Sequence, residues 1–513
     1  MTDNLVGSST PYEWRRMGVH IIGVDIGTTS TKTILFTKSG TAVAQRTVDY
    51  PLLSPQPEVQ EQDPAQIYEA VTQSIAAVVA EGQQDIAGIA FSTAMHTLIA
   101  VDQRGTPLSR SITWADRRSA PWVDHIRQRC DAAALYHRIG VPLHPMLPLV
   151  KLLWLQQTQP EVFNRAAKFI SIKEYILHRW FGQFVVDYSI ANATGLFNIH
   201  TLDWDSEALA IAGITGDRLS DLVPTTQVLR GMAPEAARAM GISAEVPVVV
   251  GASDGTLANL GVGAQPGDVT VTVGTSGAVR ASATAPQTDP EARLFCYLLT
   301  EDRWVIGGAS NNGGIVLRWV RDNLADAEVP TANLLQTDPY NILTRIAATV
   351  PPGAEGLIFH PYLAGERSPL WDAQARASFF GLGLHHSKAH MIRAILEGIV
   401  YNLYAILQAT EAVTGPSQRI HATGGLTRST LWLQMLADVF DREVMVPETV
   451  EGSCFGAALL GLHALGHTDS LEVAGAADNR YRPGLDAARY REVLPIYKAL
   501  RAQFEPLYKK LAL

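Results

Sequence analysis

Asp25 lies inside the apolar run Ile21, Ile22, Val24 and Ile26, where a carboxylate is costly unless something pairs with it. The turn that follows, Gly27-Thr28-Thr29-Ser30-Thr31, offers backbone N–H groups and hydroxyls. Together they can hold a polyphosphate and its Mg2+, with Asp25 acting on the metal through water. This is not a P-loop, because Thr31 stands where that pattern needs glycine before Lys32. A hairpin whose aspartate merely caps its turn fits the same residues. A second turn of the same kind, Gly274-Thr275-Ser276-Gly277, weighs toward the phosphate reading: two donor-rich turns facing across a cleft can clamp one polyphosphate. The third piece is Gly424-Gly425, followed by Thr427 and Ser429, where two glycines let the backbone approach a flat ligand closely.

Asp254, in Gly251-Ala252-Ser253-Asp254-Gly255, follows a valine-rich strand and is flanked by small residues. A carboxylate there can accept a proton from a hydroxyl nucleophile. It can equally serve as a helix N-cap or Asx-turn. Thr113-Trp114-Ala115-Asp116-Arg117-Arg118, with Met95-His96 upstream, suits a polyol: an apolar face for carbons, an acceptor for hydroxyls, a donor for an acidic group. The alternative is a surface loop with an internal Asp–Arg pair. His385, His386 and His390 lack a carboxylate partner at metal-ligand spacing and read as a solvated helix start. Lys151 and Trp154 read as packing residues. No nucleophile elbow with a credible histidine is present.

These groups need elements to position them. Strand, Gly-Thr-hydroxyl turn and strand occur at Ile21–Phe36 and again at Val269–Arg280, roughly 250 residues apart, as in two related domains. A further strand is expected within Ile86–Ala100, broken by Ser92–His96, and another at Val246–Val250. Helices are expected at Ala120–Arg129, Leu149–Gln157, Ile170–Trp180, Asn312–Leu324, Ala389–Ala412 and Leu431–Phe440. Alternation of strands and helices places the chain in the α/β class. The break falls near Gly261–Gly267, which gives an extension over 1–18, a first domain over 19–262 and a second over 263–513. With 513 residues there is room for two large domains. The formal net charge of −9 argues against nucleic acid as a partner. Only Cys130, Cys296 and Cys454 occur, none as CxxC, so neither a disulfide framework nor a thiolate metal site is expected, and a cytoplasmic setting fits. No apolar run is long enough to cross a membrane, and the first eighteen residues lack the apolar core of a secretory signal.

In this order the motifs resemble the FGGY family of carbohydrate kinases, within the sugar kinase/actin/Hsp70 superfamily. The likeness runs from about His20 to Gly466. It includes Met146-Leu147-Pro148-Leu149-Val150-Lys151-Leu152-Leu153-Trp154-Leu155, and Ala377-Ser378-Phe379-Phe380-Gly381-Leu382 with Ala394-Ile395-Leu396-Glu397. The resemblance implies two ribonuclease-H-like α/β domains around a central cleft, the first binding sugar and the second nucleotide. It implies ATP and Mg2+. By position, Asp254 is then the catalytic base and also touches substrate, and Asp25 lies near Mg2+. Thr28, Thr29, Thr275 and Ser276 contact phosphates; Gly314, Gly424, Gly425 and Ser429 contact nucleotide. Met95, His96, Trp114, Asp116 and Arg117 contact substrate. Met146, and Met95-His96 where glycerol-specific members carry Arg-Glu, argue against glycerol. Stretches such as Ser92–Ile99, Ile112–Ser119 and Asn311–Trp319 are most similar to members that phosphorylate gluconate, with xylulose the alternative acceptor. A sugar-acid carboxylate would want a cation, for which Arg117, Arg118 and His96 are open candidates. Family members are often dimeric or tetrameric, so a homodimer is one expected assembly.

Overall fold

The computed structural model describes residues 18–82, 85–447, 451–472 and 479–511; of the expected N-terminal extension, residues 1–17 lie outside them. Two mixed sheets dominate. The first contains β1 (His20–Ile26), β2 (Ser30–Thr37), β3 (Ala42–Asp49), β4 (Ile86–Thr93), β5 (Val228–Leu229) and β6 (Val248–Ser253), in the spatial order β5-β6-β4-β1-β2-β3. β1 and β2 form an antiparallel hairpin, while β4 lies parallel to β1 on its other side. β1 is buried on both faces, which is why its sequence reads as a nearly unbroken apolar run rather than an alternating one. Around this sheet lie α1 (Pro64–Gly82), α2 (Pro148–Thr158), α3 (Ile172–Phe181) and α4 (Asp254–Gly261). α2 starts on a proline at its first position, and α3 is bounded by a Ser171/Glu174 capping box and a left-handed Gly182.

The second sheet repeats the plan. Its strands are β7 (Val269–Val273), β8 (Gly277–Ala283), β9 (Phe295–Thr300), β10 (Arg303–Ser310), β11 (Ile420–Gly424), β12 (Val444–Val446) and β13 (Asn479–Tyr481), ordered β9-β10-β8-β7-β11-β12-β13. The hairpin β7/β8 is antiparallel and β11 is parallel to β7, as β4 is to β1. The helices here are α5 (Gly314–Leu324), α6 (Lys388–Thr414), α7 (Thr430–Phe440), α8 (Gly452–Ala464) and α9 (Ala487–Leu511). α6 is buried along most of its length against β8 and β10. The helices expected from sequence all form, with ends shifted by a few residues.

α8 belongs to the late part of the chain, yet it packs on β1, β4 and α4 of the first sheet. Glycines permit this. A Cβ on Gly456 would stand 2.0 Å from the carbonyl oxygen of Leu257, one on Gly261 would stand 2.0 Å from that of Gly452, and one on Gly23 would stand 2.2 Å from that of Cys454. Backbone therefore meets backbone between α8 and both α4 and β1. Gly456→Ala or Gly261→Ala must push these elements apart, at a cost of about 1–3 kcal/mol. Thermal unfolding followed by circular dichroism should show a clear fall in Tm for each, and none for Gly216→Ala, whose nearest neighbour to an added Cβ is 3.8 Å away.

Candidate active site

β6 delivers Asp254 to the end of the first sheet. The strand bulges between Val249 and Ala252, and Gly251 adopts φ +75° where a Cβ would overlap the Phe91 carbonyl at 1.8 Å. Ser253, not Asp254, occupies the N-cap position of α4. The Ser253 hydroxyl is held by neighbours: Ser189 Oγ donates to it at 3.0 Å, and Thr256 Oγ1 lies 2.9 Å away. The Asp254 carboxylate accepts a single hydrogen bond among the described residues, from its neighbour's N–H at Gly255, 2.7 Å. Its carboxylate is thus left available. Burial pushes its pKa up from the ordinary aspartate value, against the pull of Arg280, the Gly255 N–H and Arg367.

Asp25 pairs in register with Lys32 on β2 and Ser92 on β4. The Ser92 hydroxyl donates to its Oδ1 at 2.6 Å, while Lys32 Nζ turns to Glu451 Oε1 at 2.8 Å. Burial first, and then the charge of Asp254, push the Asp25 pKa up to about 6. The two carboxylates therefore lie within electrostatic reach of each other. Such a pair suits a divalent cation shared with phosphates and water. Among the described residues no group of three or more histidine, cysteine, aspartate or glutamate side chains could hold a metal alone.

The first turn is braced from outside: Tyr50 Oη donates to the Gly27 carbonyl at 2.8 Å, Gln62 Nε2 to that of Thr28 at 2.6 Å, and Trp114 Nε1 to Thr28 Oγ1 at 2.9 Å. Thr29 is exposed at its tip. The second turn is tied to the start of α5, with Gly314 N–H donating to the Gly274 carbonyl at 2.7 Å and Ile315 N–H to that of Thr275 at 3.0 Å. A Cβ on Gly314 would sit 2.7 Å from the Gly274 oxygen. Gly424, at φ +84°, pairs with Val273 beside the same turn, and Gly425 opens the short helical turn that leads to Ser429. Ser429 caps α7 by accepting from Trp432 N–H at 3.3 Å. Thr275, Ser276, Gly314, Gly424 and Gly425 thus gather at the ends of β7 and β11.

Between the sheets lies a cavity of about 210 Å3. The first part of the chain lines it with Thr28, Ala94, Met95, His96, Trp114, Met146 and Asp254; the second part contributes Ser276, Gly277, Ala278, Arg280, Phe295, Tyr297, Ala309, Arg367 and Trp371. Thr28 of the first turn, Ser276 and Gly277 of the second, and Asp254 therefore share a single space. Asp116 and Arg117 are not among its lining residues. Asp116 is buried behind the wall, accepting from Gln60 N–H at 2.9 Å and from the Arg118 N–H and Nε. Arg118 also pairs with Glu61 at 2.5 Å and lies over the Trp154 ring, and Arg117 points to solvent. His385, His386 and His390 cluster instead at the start of α6, near Glu355.

His96 is held rather than charged. Its Nδ1 lies 2.6 Å from the Ala193 carbonyl and so carries the proton, leaving Nε2 to accept from Tyr297 Oη at 3.2 Å. Burial, reinforced by the charge of Lys151, pushes its pKa down to about 3. Arg117, Arg118 and His96, the residues expected to meet an acidic group, do not offer a cation to the cavity; Arg280 and Arg367, which are not among those expected, do. Arg280 had a readable signal, a lone cation in a strand of small and apolar residues. Lys151 carried the same signal in α2. It is not simple packing: fully buried, its Nζ donates to the carbonyls of His96 at 2.6 Å, Thr113 at 2.8 Å and Ile112 at 3.4 Å. Burial pushes its pKa down to about 7, while three carbonyls match the three protons of the ammonium form. The two acceptor-wall segments, Met95–His96 and Thr113–Trp114, are pinned to one side chain.

Residues 20–261 match the N-terminal domain of the FGGY family of carbohydrate kinases, and residues 269–465 match its C-terminal domain. A gluconokinase of Bacillus subtilis (strain 168) is 49% identical over 97% of the chain and 98% of its own length. One from Bacillus licheniformis is 50% identical over the same shares. A crystal structure of gluconate kinase from Lactobacillus acidophilus superposes with a TM-score of 0.91 at 37% identity, over 96% of this chain and 100% of that one.

Lys151→Met keeps the bulk but leaves the carbonyl of His96 without its donor, at a cost of about 1–3 kcal/mol, and leaves those of Ile112 and Thr113 with only the N–H groups of Leu98 and Asp116. The expected result is a lower Tm and faster hydrogen exchange in the segment 93–115, with exchange in β7 and β8 unchanged.

Proposed function

The chain belongs to the FGGY family of carbohydrate kinases, and from that membership we propose that it transfers the γ-phosphoryl group of ATP to the terminal hydroxyl of D-gluconate, giving 6-phosphogluconate and ADP. The observation that carries the choice of acceptor is near-full-length identity of about half to two gluconokinases. The first domain, over 19–262, takes the acceptor and the second, over 263–513, the nucleotide, with α8 returning from the second to brace the first. No helix among the described residues is long and apolar enough to cross a membrane, and we place the reaction in the cytoplasm, where ATP is supplied.

In this reading Asp254 takes the proton of the terminal hydroxyl as the oxygen attacks the γ-phosphorus. The new O–P bond forms as the bond to the β-phosphate oxygen breaks, and ADP leaves. Thr28 and Thr29 on one side and Thr275 and Ser276 on the other hold the phosphates in line. Gly314, Gly424, Gly425 and Ser429 border the nucleotide. Asp25 would hold Mg2+ through water, and the ion would offset charge on the β- and γ-phosphates when bound. Met95, His96 and Trp114 line the acceptor's carbon chain, with the Asp116–Arg118 pair behind them. Most of the rate comes from position and electrostatics rather than from covalent chemistry.

Two outcomes test this. Coupled ADP release across a panel of sugar acids, polyols and pentuloses should peak with gluconate; a peak with xylulose would overturn the acceptor. Asp254→Asn should lower kcat by about 10²–10⁴-fold while ATP binding by calorimetry is retained. In the wild type, kcat/KM should fall as pH drops through a value above the ordinary aspartate range, because the base must be unprotonated and its pKa is raised. Near-normal turnover in the variant would remove Asp254 from the base role.

A further inference from the structure

Arg280 and Arg367 are cations placed against the cavity without a carboxylate of their own. Among the described residues, the Arg280 side chain reaches only Thr272 Oγ1, 3.4 Å from its Nη1, and Arg367 reaches only the Ser310 carbonyl, 3.4 Å from its Nη2. Arg367 Nε is buried with no hydrogen-bond partner among the described residues. Neighbouring Glu366 lends opposite charge but no hydrogen bond to the guanidinium, because its oxygens are taken up by Ser310, Asn312, Asn402 and two backbone N–H groups. Arg280 Nε would lie 3.5 Å from a Cβ at Gly255, the residue after Asp254, and Arg367 lies 5.3 Å from the centre of the Trp114 ring.

The side chains that line the cavity do not balance in charge. Two guanidinium groups face one carboxylate, Asp254, and His96 is neutral there. A desolvated guanidinium whose N–H groups lack acceptors is costly, and a site built around it favours a ligand that supplies an anionic acceptor. A neutral polyol would leave Arg367 Nε without one. An acceptor with one carboxylate, its far hydroxyl at Asp254, would neutralise the cavity and give Arg367 Nε the acceptor it lacks. Guanidinium donors suit the planar carboxylate through paired N–H···O bonds.

We propose, resting on the reading of the chain as a kinase of a polyhydroxy acceptor, that Arg280 and Arg367 bind the acceptor's carboxylate and so select sugar acids over neutral polyols of the same chain length. The competing role for the same side chains is to hold the transferring phosphoryl group. The two differ in what the arginines touch before any reaction occurs.

The experiment is calorimetric binding of D-gluconate and of D-glucitol, which differ only at the carboxylate carbon, to the full chain without nucleotide, together with ADP binding. The wild type should favour gluconate by on the order of 100-fold. Arg280→Gln and Arg367→Gln should each erase most of that preference and leave ADP affinity unchanged. Arg280→Lys and Arg367→Lys keep the charge but lose the paired donors, so they should retain part of the preference; they carry the test if a Gln variant does not fold. Gln or Lys variants that keep the full wild-type preference overturn the proposal while leaving the kinase reading intact. So does a loss of ADP affinity with the preference unchanged, which assigns the arginines to phosphate. A wild type that treats the two compounds alike overturns both this proposal and the choice of gluconate.

Discussion

The contact on which the rest of the structure depends is the direct approach of α8 to α4 and β1. α4 begins with Asp254, and β1 carries Asp25. Both are seated on one helix through Gly23, Gly261 and Gly456, at distances where no side chain fits. Helices that meet through glycine are fixed by van der Waals contact between backbones, which leaves little freedom to slide. The separation of the two carboxylates is thereby set by a segment nearly 200 residues later in the chain than Asp254, an offset that follows from the position of α8 at Gly452–Ala464. The Lys32–Glu451 ion pair sits at the head of the same helix and adds a polar tie to the apolar one.

With the carboxylates placed, the cavity becomes a problem of buried charge. Low dielectric makes each unpaired group expensive and each paired one directional. The protein meets this in three ways around one small space. Lys151 is enclosed by backbone carbonyls and becomes a clamp on the acceptor wall. Asp116 is consumed by Arg118 and by the backbone of Gln60, and so becomes scaffold. Asp254, Arg280 and Arg367 are left incompletely satisfied and face the cavity. The distinction between scaffold and site is the distinction between charge already neutralised and charge still seeking a partner.

Much of this was legible in the sequence. Asp25 and Asp254 stood out because a carboxylate in an apolar strand, or at the end of one, is expensive. The repeated Gly-Thr-hydroxyl turns stood out because the two hairpins share a local pattern, and both were found at strand ends in equivalent sheets. Local information suffices for such features: strand register and turn chemistry depend on residues a few positions apart. Lys151 and Arg280 carried the same signal of a charge among apolar neighbours, but a helix or strand pattern alone does not tell a clamp from a packing residue, or a site cation from a paired one.

What the chain order determined by itself, then, was the class of elements, the twofold repeat and the residues able to do chemistry. Only the tertiary structure decided their employment. It turned Asp116 inward to Arg118 and Arg117 out to solvent, made His96 a neutral ring between Ala193 and Tyr297, and brought Arg280 and Arg367 to the cavity from strands and loops remote in sequence. The reason is physical: the role of a charged side chain is set by which opposite charges and hydrogen-bond partners surround it once water is removed, and those neighbours are assembled by contacts between distant segments.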